Sequence, residues 1–216
     1  MGTHFRNWEV MKKAVTIIDY GVGNTFSVQA ALEQLGYEVE VSDQPKKLRN
    51  ADALILPGVG AFEVAINNLE KRNLIPVLEE LVLEERKPIL GICLGMQLLA
   101  THSEENGHYK GLNWIPGSVK KFTPSQDLRV PHVGWNDVVI HQTAPLFSRL
   151  EREPNFYFDH SYHFECDNKD HVAATCSYGG EVVAAVKKEN IHGVQFHPEK
   201  SQTTGLKLLR GFMNSI

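Results

Sequence analysis

The sequence predicts an α/β protein with a central, mostly parallel and partly mixed β-sheet that is flanked by helices. Three observations support this class. Continuous apolar runs, typical of strands buried on both faces, alternate with amphipathic helical segments through the first half of the chain. Glycine-rich turns follow several of these strands. The second half changes to short β-rich segments whose spacing indicates antiparallel pairs.

The composition fits one large α/β domain. The chain has 216 residues, of which 42% are hydrophobic, so a sizeable core can form. A formal net charge of -4 argues against the basic surface of a nucleic-acid-binding protein. Three cysteines suggest no disulfide framework, so we expect a reducing, cytoplasmic setting. Since no apolar run approaches the ~20 residues of a membrane span, we expect no membrane association.

The first twelve residues are predicted to form an N-terminal extension, and residues 13–216 the domain. This leader has no apolar core of the kind that a signal peptide requires. Met11 directly precedes two lysines and the first strand, so it is a candidate for the natural start of the protein.

In the first half, strands alternate with helices. We predict strands at 14–19, 37–41, 53–56 and 89–92, and helices at 27–35, 61–69 and 74–85. Gly36 ends the first helix, and Pro76 lies in the first turn of the third, where proline is tolerated. Because helices connect successive strands, we expect a parallel sheet with right-handed crossovers.

In the second half, β-strands dominate. We predict strands at 118–122, 137–141, 155–160, 172–177, 181–187 and 191–196, and a last helix at 204–214. A polar loop at 103–107 separates the two halves. The segment 177–180, Ser-Tyr-Gly-Gly, is predicted to be a hairpin turn, so the sheet should become mixed here.

The strongest functional signal is Gly-x-Cys-x-Gly at residues 91–95, centred on Cys93. It follows a buried strand and precedes a helical pattern, so it resembles in form the Gly-x-Ser-x-Gly elbow of serine nucleophiles. Glycines allow the sharp turn, where neighbouring side chains would crowd the strand and the helix. Most lone cysteines are buried structural residues, but the two glycines favour a nucleophile here.

A nucleophilic cysteine requires a base, and His197-Pro198-Glu199 supplies a candidate base with a partner. In an extended segment residues i and i+2 point the same way, so Glu199 can accept from one nitrogen of His197 while the other faces Cys93. The chain has ten histidines, so this motif alone is weak evidence. The order Cys, His, Glu differs from that of α/β-hydrolases, whose acid precedes the histidine.

The turn after the third strand, Pro57-Gly58-Val59-Gly60, is a candidate oxyanion hole. Glycines let the backbone N–H groups of Gly58, Val59 and Gly60 approach a reacting carbonyl, together with the N–H of Leu94. Either peptide bond between Gly58 and Gly60 could flip, so that a carbonyl blocks the hole in one state and an N–H completes it in the other. The alternative is an ordinary strand-to-helix turn.

Other patterns are weaker. Gly21 and Gly23 follow a strand, but Phe26 occupies the position of the third glycine of a dinucleotide fingerprint. The histidines and cysteine of residues 160–166 have spacings found in metal sites, but strand alternation would splay them, and a closed zinc site needs four ligands. Trp114 and Trp135 are core or contact residues, with the core favoured for both.

Two motifs together carry a family resemblance. Residues 91–97 and His197-Pro198-Glu199 resemble the class I, or triad, glutamine amidotransferases. Within this family, segments 19–24, 57–62, 131–136 and 160–162 resemble the glutaminase subunits that supply ammonia to a (β/α)₈-barrel cyclase in histidine biosynthesis. The likeness begins at about Lys12 and reaches the C-terminus. Two places depart from it: Val133, where methionine is common, and Thr25-Phe26, where Leu-Arg is frequent.

The resemblance implies a single flavodoxin-like domain and a mechanism. Cys93 would attack the side-chain amide of L-glutamine, His197 would protonate the departing ammonia, and water would hydrolyse the glutamyl thioester. The substrate's amino-acid end would be held by Gln97 and by the backbone around Ser161 and Tyr162. No cofactor or metal is implied.

The resemblance also implies a one-to-one heterodimer with the cyclase, through a face that includes Asn24, Trp135 and Lys200. Ammonia would pass directly into the partner. Three alternatives stay open from the sequence. The chain could be the glutaminase subunit of another amidotransferase, such as one serving anthranilate or guanylate synthesis, a non-catalytic binding module with this fold, or a hydrolase of γ-glutamyl compounds that acts alone.

Overall fold

Thirteen strands and six α-helices occur in the parts of the chain that the computed structural model describes, residues 13–123, 128–142, 144–150 and 153–216. The predicted extension at 1–12 lies outside the described residues. The strands are β1 (Ala14–Ile18), β2 (Glu38–Ser42), β3 (Ala53–Leu56), β4 (Ile89–Ile92), β5 (His102–Ser103), β6 (Tyr109–Lys110), β7 (Gly117–Lys121), β8 (His132–Ile140), β9 (Asn155–His160), β10 (Tyr162–Cys166), β11 (Val172–Ser177), β12 (Glu181–Lys188) and β13 (Ile191–Val194). The helices are α1 (Thr25–Gln34), α2 (Pro45–Asn50), α3 (Phe62–Lys71), α4 (Leu74–Glu79), α5 (Leu94–Gln97) and α6 (Gln202–Asn214).

The central sheet has the strand order β2-β1-β3-β4-β13-β12-β11-β8-β9. The first five strands in this order are parallel, and the pairs from β13 to β9 are antiparallel. The predicted α/β class with a mixed central sheet is therefore confirmed. The order of the parallel part corresponds to the flavodoxin-like arrangement, in which sites form beyond the carboxyl ends of the strands.

The helices cover both faces of the parallel strands because apolar side chains alternate along them. Ile17 of β1 packs in one cluster with the apolar faces of α1 and α6. Its neighbour Ile18 packs in a second cluster with those of α3 and α4. Leu54 and Ile55 of β3 divide between the two clusters in the same way. The result is three layers, with the sheet between two layers of helices. The candidate catalytic residues lie beyond the carboxyl ends of the parallel strands.

A second sheet, β10-β7-β5-β6, is the main feature that the sequence did not predict. Only Ser161 separates the end of β9 from the start of β10, so no local signal in the sequence distinguishes the two strands. The chain leaves the central sheet at Ser161, and β10 then pairs antiparallel with β7. Because the substrate candidates Ser161 and Tyr162 lie at this crossing, their position depends on both sheets.

Several boundaries also differ from the predictions. The strand β8 begins at His132 rather than at 137, and α2 was not predicted. The third predicted helix is confirmed as α4, but its last turn, Glu80–Glu84, is π-helical. The last strand ends at Val194 rather than at 196. The hairpin at 177–180 is confirmed between β11 and β12.

Candidate active site

Cys93 lies on a strained turn between β4 and α5. Its backbone has φ 54° and ψ -110°, a positive φ that non-glycine residues rarely adopt. Hydrogen bonds hold this conformation: Cys93 N–H donates to the Val194 carbonyl at 2.8 Å, and the Cys93 carbonyl accepts from Met96 N–H at 3.0 Å. A Cβ added at Gly95 would lie 1.8 Å from the Leu56 carbonyl oxygen of β3. The second glycine is therefore needed because the helix approaches the neighbouring strand too closely for a side chain.

His197 and Glu199 form a buried pair beside Cys93. Nδ1 of His197 lies 2.7 Å from Oε1 of Glu199, and their side chains are 3% and 2% exposed. The segment is not extended throughout, because Pro198–Lys200 forms a 3₁₀ turn, yet the expected contact is present. Ser201 supports the turn by donating its hydroxyl to the His197 carbonyl at 2.6 Å.

The charge state of His197 follows from its two partners. Burial by itself would lower the pKa of His197, but hydrogen bonds to the Cys93 and Glu199 side chains, with their negative charges, outweigh it and raise the pKa to about 10. Because Nδ1 faces the carboxylate, Nε2 is left for the sulfur. The arrangement can therefore hold an imidazolium next to an anionic sulfur.

A second histidine, His160, lies near Cys93, but both of its ring nitrogens already have hydrogen-bond partners. Its Nδ1 donates to the Tyr162 carbonyl at 2.8 Å, because a carbonyl oxygen can only accept. Its Nε2 must then accept from Nδ1 of His132 at 2.9 Å. Burial lowers the pKa of His160 to about 3 and that of His132 to about 4, so both rings are neutral. Of these two histidines, His197 is therefore the one able to exchange a proton with Cys93.

The candidate oxyanion hole is blocked in this structure. The Gly58 carbonyl oxygen accepts from Leu94 N–H at 3.4 Å, so one of the expected donors already has a partner. Gly60 has φ +101°, and a Cβ added to it would meet no atom within 4 Å. Val59 is 41% exposed. In the segment Pro57-Gly58-Val59-Gly60, the Gly58 carbonyl therefore faces Leu94 N–H, and the flip of this segment stays a prediction.

A cavity of about 260 Å³ opens next to Cys93. It is lined by Val59, Gly60, Cys93, Leu94, Gln97, Glu105, Pro131, Asp159, His160, Ser161 and Tyr162. Larger cavities lie elsewhere, one of about 380 Å³ at His141 and Cys166, but these are not next to Cys93. The nucleophile and base therefore locate the site better than cavity size does. The volume suits a ligand as small as a single amino acid.

The substrate candidates lie on this cavity. Nε2 of Gln97 donates to the Tyr162 carbonyl and to Oε1 of Gln195, both at 3.0 Å. The oxygen of the Gln97 amide is therefore the atom left to accept from a ligand. The Ser161 carbonyl accepts from Phe122 N–H at 3.1 Å, which fixes the strand crossing.

Sequence reasoning missed Glu105, Asp159 and Gln195. Glu105 belongs to the polar loop at 103–107, where the sequence offers no local signal of a site. Its Oε2 accepts from the backbone N–H of Phe62 at 2.8 Å, which places a carboxylate at the cavity. Asp159 lies one residue before the noted 160–162 segment.

Trp135 and Lys200, two of the candidate interface residues, share one surface through Tyr157. Trp135 is 47% exposed, so the preference for the core is wrong at this position. Its ring meets that of Tyr157 edge to face at 6.1 Å. Nζ of Lys200 lies 5.6 Å from the centre of the same ring. Trp114, in contrast, is 2% exposed, as expected for a core residue.

Asn24, the third interface candidate, caps α1. Its Oδ1 accepts from the backbone N–H of Ser27 at 3.3 Å, and its Nδ2 donates to the Ser27 hydroxyl at 2.7 Å. The preceding turn lies against the oxyanion segment, since a Cβ added at Gly23 would lie 3.3 Å from the Gly58 nitrogen. A ligand that shifted this turn would act directly on Gly58.

Two general findings concern the described residues alone. They contain no helix that is both long and apolar enough to cross a membrane. In the same ranges, no group of three or more histidine, cysteine or carboxylate side chains is arranged as metal ligands.

Comparison with known proteins identifies the family. The family description "Glutamine amidotransferase class-I" matches residues 16–215, so the chain belongs to the class I glutamine amidotransferases. Among curated relatives, the chain is 50% identical to "Imidazole glycerol phosphate synthase subunit HisH 2" of Vibrio vulnificus (strain YJ016), over 94% of each chain. It is 47% identical to the subunit HisH of Geobacter sulfurreducens, over 92% of this chain and 97% of that protein.

Solved structures with this fold are more distant in sequence. The structure of PurLQS from Thermotoga maritima matches with a TM-score of 0.74 at 19% identity, over 95% of this chain and 99% of that one. The structure of a putative GMP synthase subunit from Thermoplasma acidophilum matches with a TM-score of 0.70 at 21% identity, over 94% and 93%. These similarities support the fold.

Proposed function

We propose that this protein is the glutaminase subunit of imidazole glycerol phosphate synthase. The observation that carries the proposal is the buried chain Cys93–His197–Glu199 at the end of an amino-acid-sized cavity. Full-length relatives at 50% and 47% identity bear the name of this synthase subunit. The reaction is hydrolysis of glutamine to glutamate and ammonia, which the synthase uses in histidine biosynthesis.

The chemistry proceeds through a thioester. The Cys93 proton moves to His197, and the sulfur attacks the side-chain carbonyl carbon of glutamine. The resulting oxyanion is bound by Leu94 N–H and by an N–H of the segment from Gly58 to Gly60 after a peptide flip. His197 returns the proton to the departing nitrogen, which leaves as ammonia. Water, deprotonated by His197, then cleaves the thioester and releases glutamate.

The amino-acid end of glutamine is held at the opposite end of the cavity. The Glu105 carboxylate and the oxygen of Gln97 are acceptors for the α-ammonium group. The backbone N–H groups around Ser161 and Tyr162 are donors for the α-carboxylate. The described residues that line this cavity include no lysine or arginine, and His160 is neutral, so neutral donors remain for this carboxylate: backbone N–H groups and the hydroxyls of Ser161 and Tyr162.

The ammonia passes to a (β/α)₈-barrel cyclase subunit in a one-to-one, cytoplasmic heterodimer. There it reacts with a phosphorylated ribulosyl intermediate, giving imidazole glycerol phosphate and an aminoimidazole carboxamide ribotide. The exposed Trp135 and Lys200 on either side of Tyr157, together with the turn at Asn24, form the proposed contact surface. Tryptophan is a common anchor of interfaces, which supports this face.

The test is to purify the protein with the cyclase encoded in the same genome. Glutamine-dependent formation of imidazole glycerol phosphate, in a complex of one copy each, is the expected result. The synthase partners of anthranilate and guanylate synthesis serve as controls, and neither should form a complex or release ammonia from glutamine. Glutamine turnover with one of those partners alone, or fast turnover with no partner, would contradict the proposal.

A further inference from the structure

The side chain of Gln195 is fully buried and contacts the nucleophile, but it has no role in the proposed thioester mechanism. It follows β13 and is 0% exposed. Its Nε2 donates to Sγ of Cys93 at 3.7 Å, and its Oε1 accepts from Nε2 of Gln97 at 3.0 Å. A buried amide with both ends paired in this way has a defined orientation, and the neighbours determine it.

The Tyr162 carbonyl determines this orientation. A backbone carbonyl can only accept, so the group that Gln97 turns toward Tyr162 must be its NH₂. The same NH₂ lies 3.0 Å from the Gln195 amide, which must therefore present its oxygen to Gln97. The NH₂ of Gln195 is then left to face the Cys93 sulfur. The assignment follows from a backbone atom and needs no assumption about either side chain.

The groups around the Cys93 sulfur differ in whether they accept or donate hydrogen bonds. The Asp159 carbonyl oxygen lies 3.9 Å away and can accept the thiol proton, but it cannot donate to the sulfur. His197 takes the proton and becomes a charged donor. Once the proton has left, the Asp159 carbonyl repels the anionic sulfur, and Gln195 supplies a neutral N–H toward it. Hydrogen bonds to charged groups are stronger than neutral ones, and burial strengthens them further.

We propose that Gln195 is a further catalytic residue of the glutaminase site, the neutral hydrogen-bond donor that stabilises the anionic sulfur of Cys93. Gln97 and the Tyr162 carbonyl are positioning groups that keep its NH₂ directed at the sulfur. Since Tyr162 also borders the substrate cavity, the same chain ties the nucleophile to the strand that holds the amino acid. The catalytic role of Gln195 rests on the proposed function, because it is defined for glutamine hydrolysis at Cys93.

The first experiment replaces the donor with a group of similar length, Gln195→Met. Loss of a hydrogen bond to a charged group should lower glutamine turnover in the cyclase complex by about 10- to 150-fold. Turnover should fall more than KM rises, since the lost contact is to the nucleophile. Gln195→Glu keeps the shape but removes the donor and adds a negative charge beside the sulfur, so its loss should be larger.

The second readout needs neither substrate nor partner. The rate of Cys93 alkylation by iodoacetamide, followed by mass spectrometry from about pH 5 to 10, reports how readily the sulfur becomes anionic. In Gln195→Met the rate at neutral pH should fall by about 3- to 15-fold, less than turnover does, because a more basic thiolate is the stronger nucleophile. The whole profile should move to higher pH.

Gln142→Met is the matched control. This amide donates to two carbonyls, those of Asp170 and Val172, and it does not touch the sulfur. Its turnover and its alkylation profile should equal those of the parent. An unmoved profile in Gln195→Met, with turnover lost, would overturn the proposal, because the residue would then act through the substrate alone. If the parent shows no turnover with the cyclase, the proposed function fails while alkylation still decides the role of Gln195.

A third measurement covers the case in which both Gln195 variants fail to fold. Cys93→Ala removes the sulfur and keeps Gln195 in place. In ¹H–¹⁵N spectra, one side-chain amide proton of Gln195 should move upfield as its acceptor disappears. A resonance that stays at the parent position would contradict the hydrogen bond and, with it, the proposal.

Discussion

The two sides of the cavity at Cys93 differ in how far they are assembled. On one side, the sulfur, His197 and Glu199 are buried, His197 is hydrogen-bonded to Glu199, and the sulfur interacts with His197. On the other side, the segment from Gly58 to Gly60 turns a carbonyl toward Leu94 N–H, where the reaction needs a donor. The groups proposed to move protons are thus assembled in this structure, whereas the groups proposed to bind the oxyanion are not.

The difference indicates which side can be regulated. Reorganising the first side would break a buried charged pair, which costs several kcal/mol. Reorganising the second requires a flip of the Gly58–Val59 peptide, whose carbonyl faces Leu94 N–H, and a glycine at position 58 accepts the change in backbone conformation. Control by a partner should therefore act through the glycine segment and leave the pair of Cys93 and His197 unchanged.

The largest effect should come from Cys93→Ala. Glutamine-dependent synthesis by the cyclase complex should fall by about 10⁶-fold, as for the loss of other catalytic nucleophiles. Synthesis from added ammonium salt should stay at the parent rate, because Cys93 only produces ammonia. Both activities are measured on the same purified complex. Equal loss of both, with the complex intact, would show that this division of labour is wrong.

Within the assembled side, His197→Ala should cost more than Glu199→Gln. The imidazole handles the reacting proton, whereas the carboxylate orients the ring and stabilises its charge. Glutaminase turnover should fall by about 10⁶-fold in the first variant and about 10⁴-fold in the second. Circular dichroism checks that both variants are folded. Equal and complete loss would contradict the separate roles.

The glycine side should account for activation by the partner. Glutamine turnover should be lowest in the free protein and highest in the cyclase complex loaded with its ribulosyl ligand, with a difference of about 100- to 1,000-fold from one oxyanion donor. The rate of Cys93 alkylation should be nearly the same in the free, bound and loaded states after correction for the reagent's access to the sulfur. Equal turnover in the free, bound and loaded states would remove the switch.

Trp135→Ala tests the surface through which the partner would act. Loss of an interface anchor should weaken cyclase binding by about 2 kcal/mol, or roughly 30-fold, measured by calorimetry. Val139→Ala is the matched control, because Val139 lies on the same strand and is also 47% exposed. Unchanged binding by a folded Trp135→Ala would exclude this residue from the interface core.

The smallest effect concerns stability in acid. Burial lowers the pKa of His132 to about 4 and that of His160 to about 3, so between about pH 6.5 and 4 the unfolded chain binds protons that the folded one excludes. Stability should therefore be full above about pH 6.5 and decrease on acidification, by up to about 2 kcal/mol per histidine at about pH 5.

Urea unfolding of the parent and of His132→Gln at about pH 7, 6 and 5 measures this effect. On acidification, the free energy of unfolding of the variant should fall less steeply than that of the parent. The difference in slope should correspond to about one bound proton. His192, whose pKa burial also lowers to about 4, should contribute equally in both proteins. Parallel curves would show that folding does not lower the pKa of His132.

The sequence alone predicted the features that depend on neighbours in the chain. The elbow at Cys93 follows from an apolar run, two glycines and a helical pattern, and all of these are local. The contact of His197 with Glu199 needed only a spacing of two residues. The alternating strands and helices of the first half were likewise found close to their bounds, because their hydrophobic periods are distinct.

The tertiary structure decided what depends on distant partners. The pairing of β10 with β7 creates the second sheet, and the hydrophobic pattern of β10 does not distinguish it from the preceding strand β9. His160 ends a strand and His197 follows one, and only burial and the hydrogen-bond partners of each ring separate a histidine held neutral from one whose pKa is raised. The roles of Gln195 and Glu105, and the inward carbonyl of Gly58, emerge only when segments far apart in the chain close around one sulfur atom.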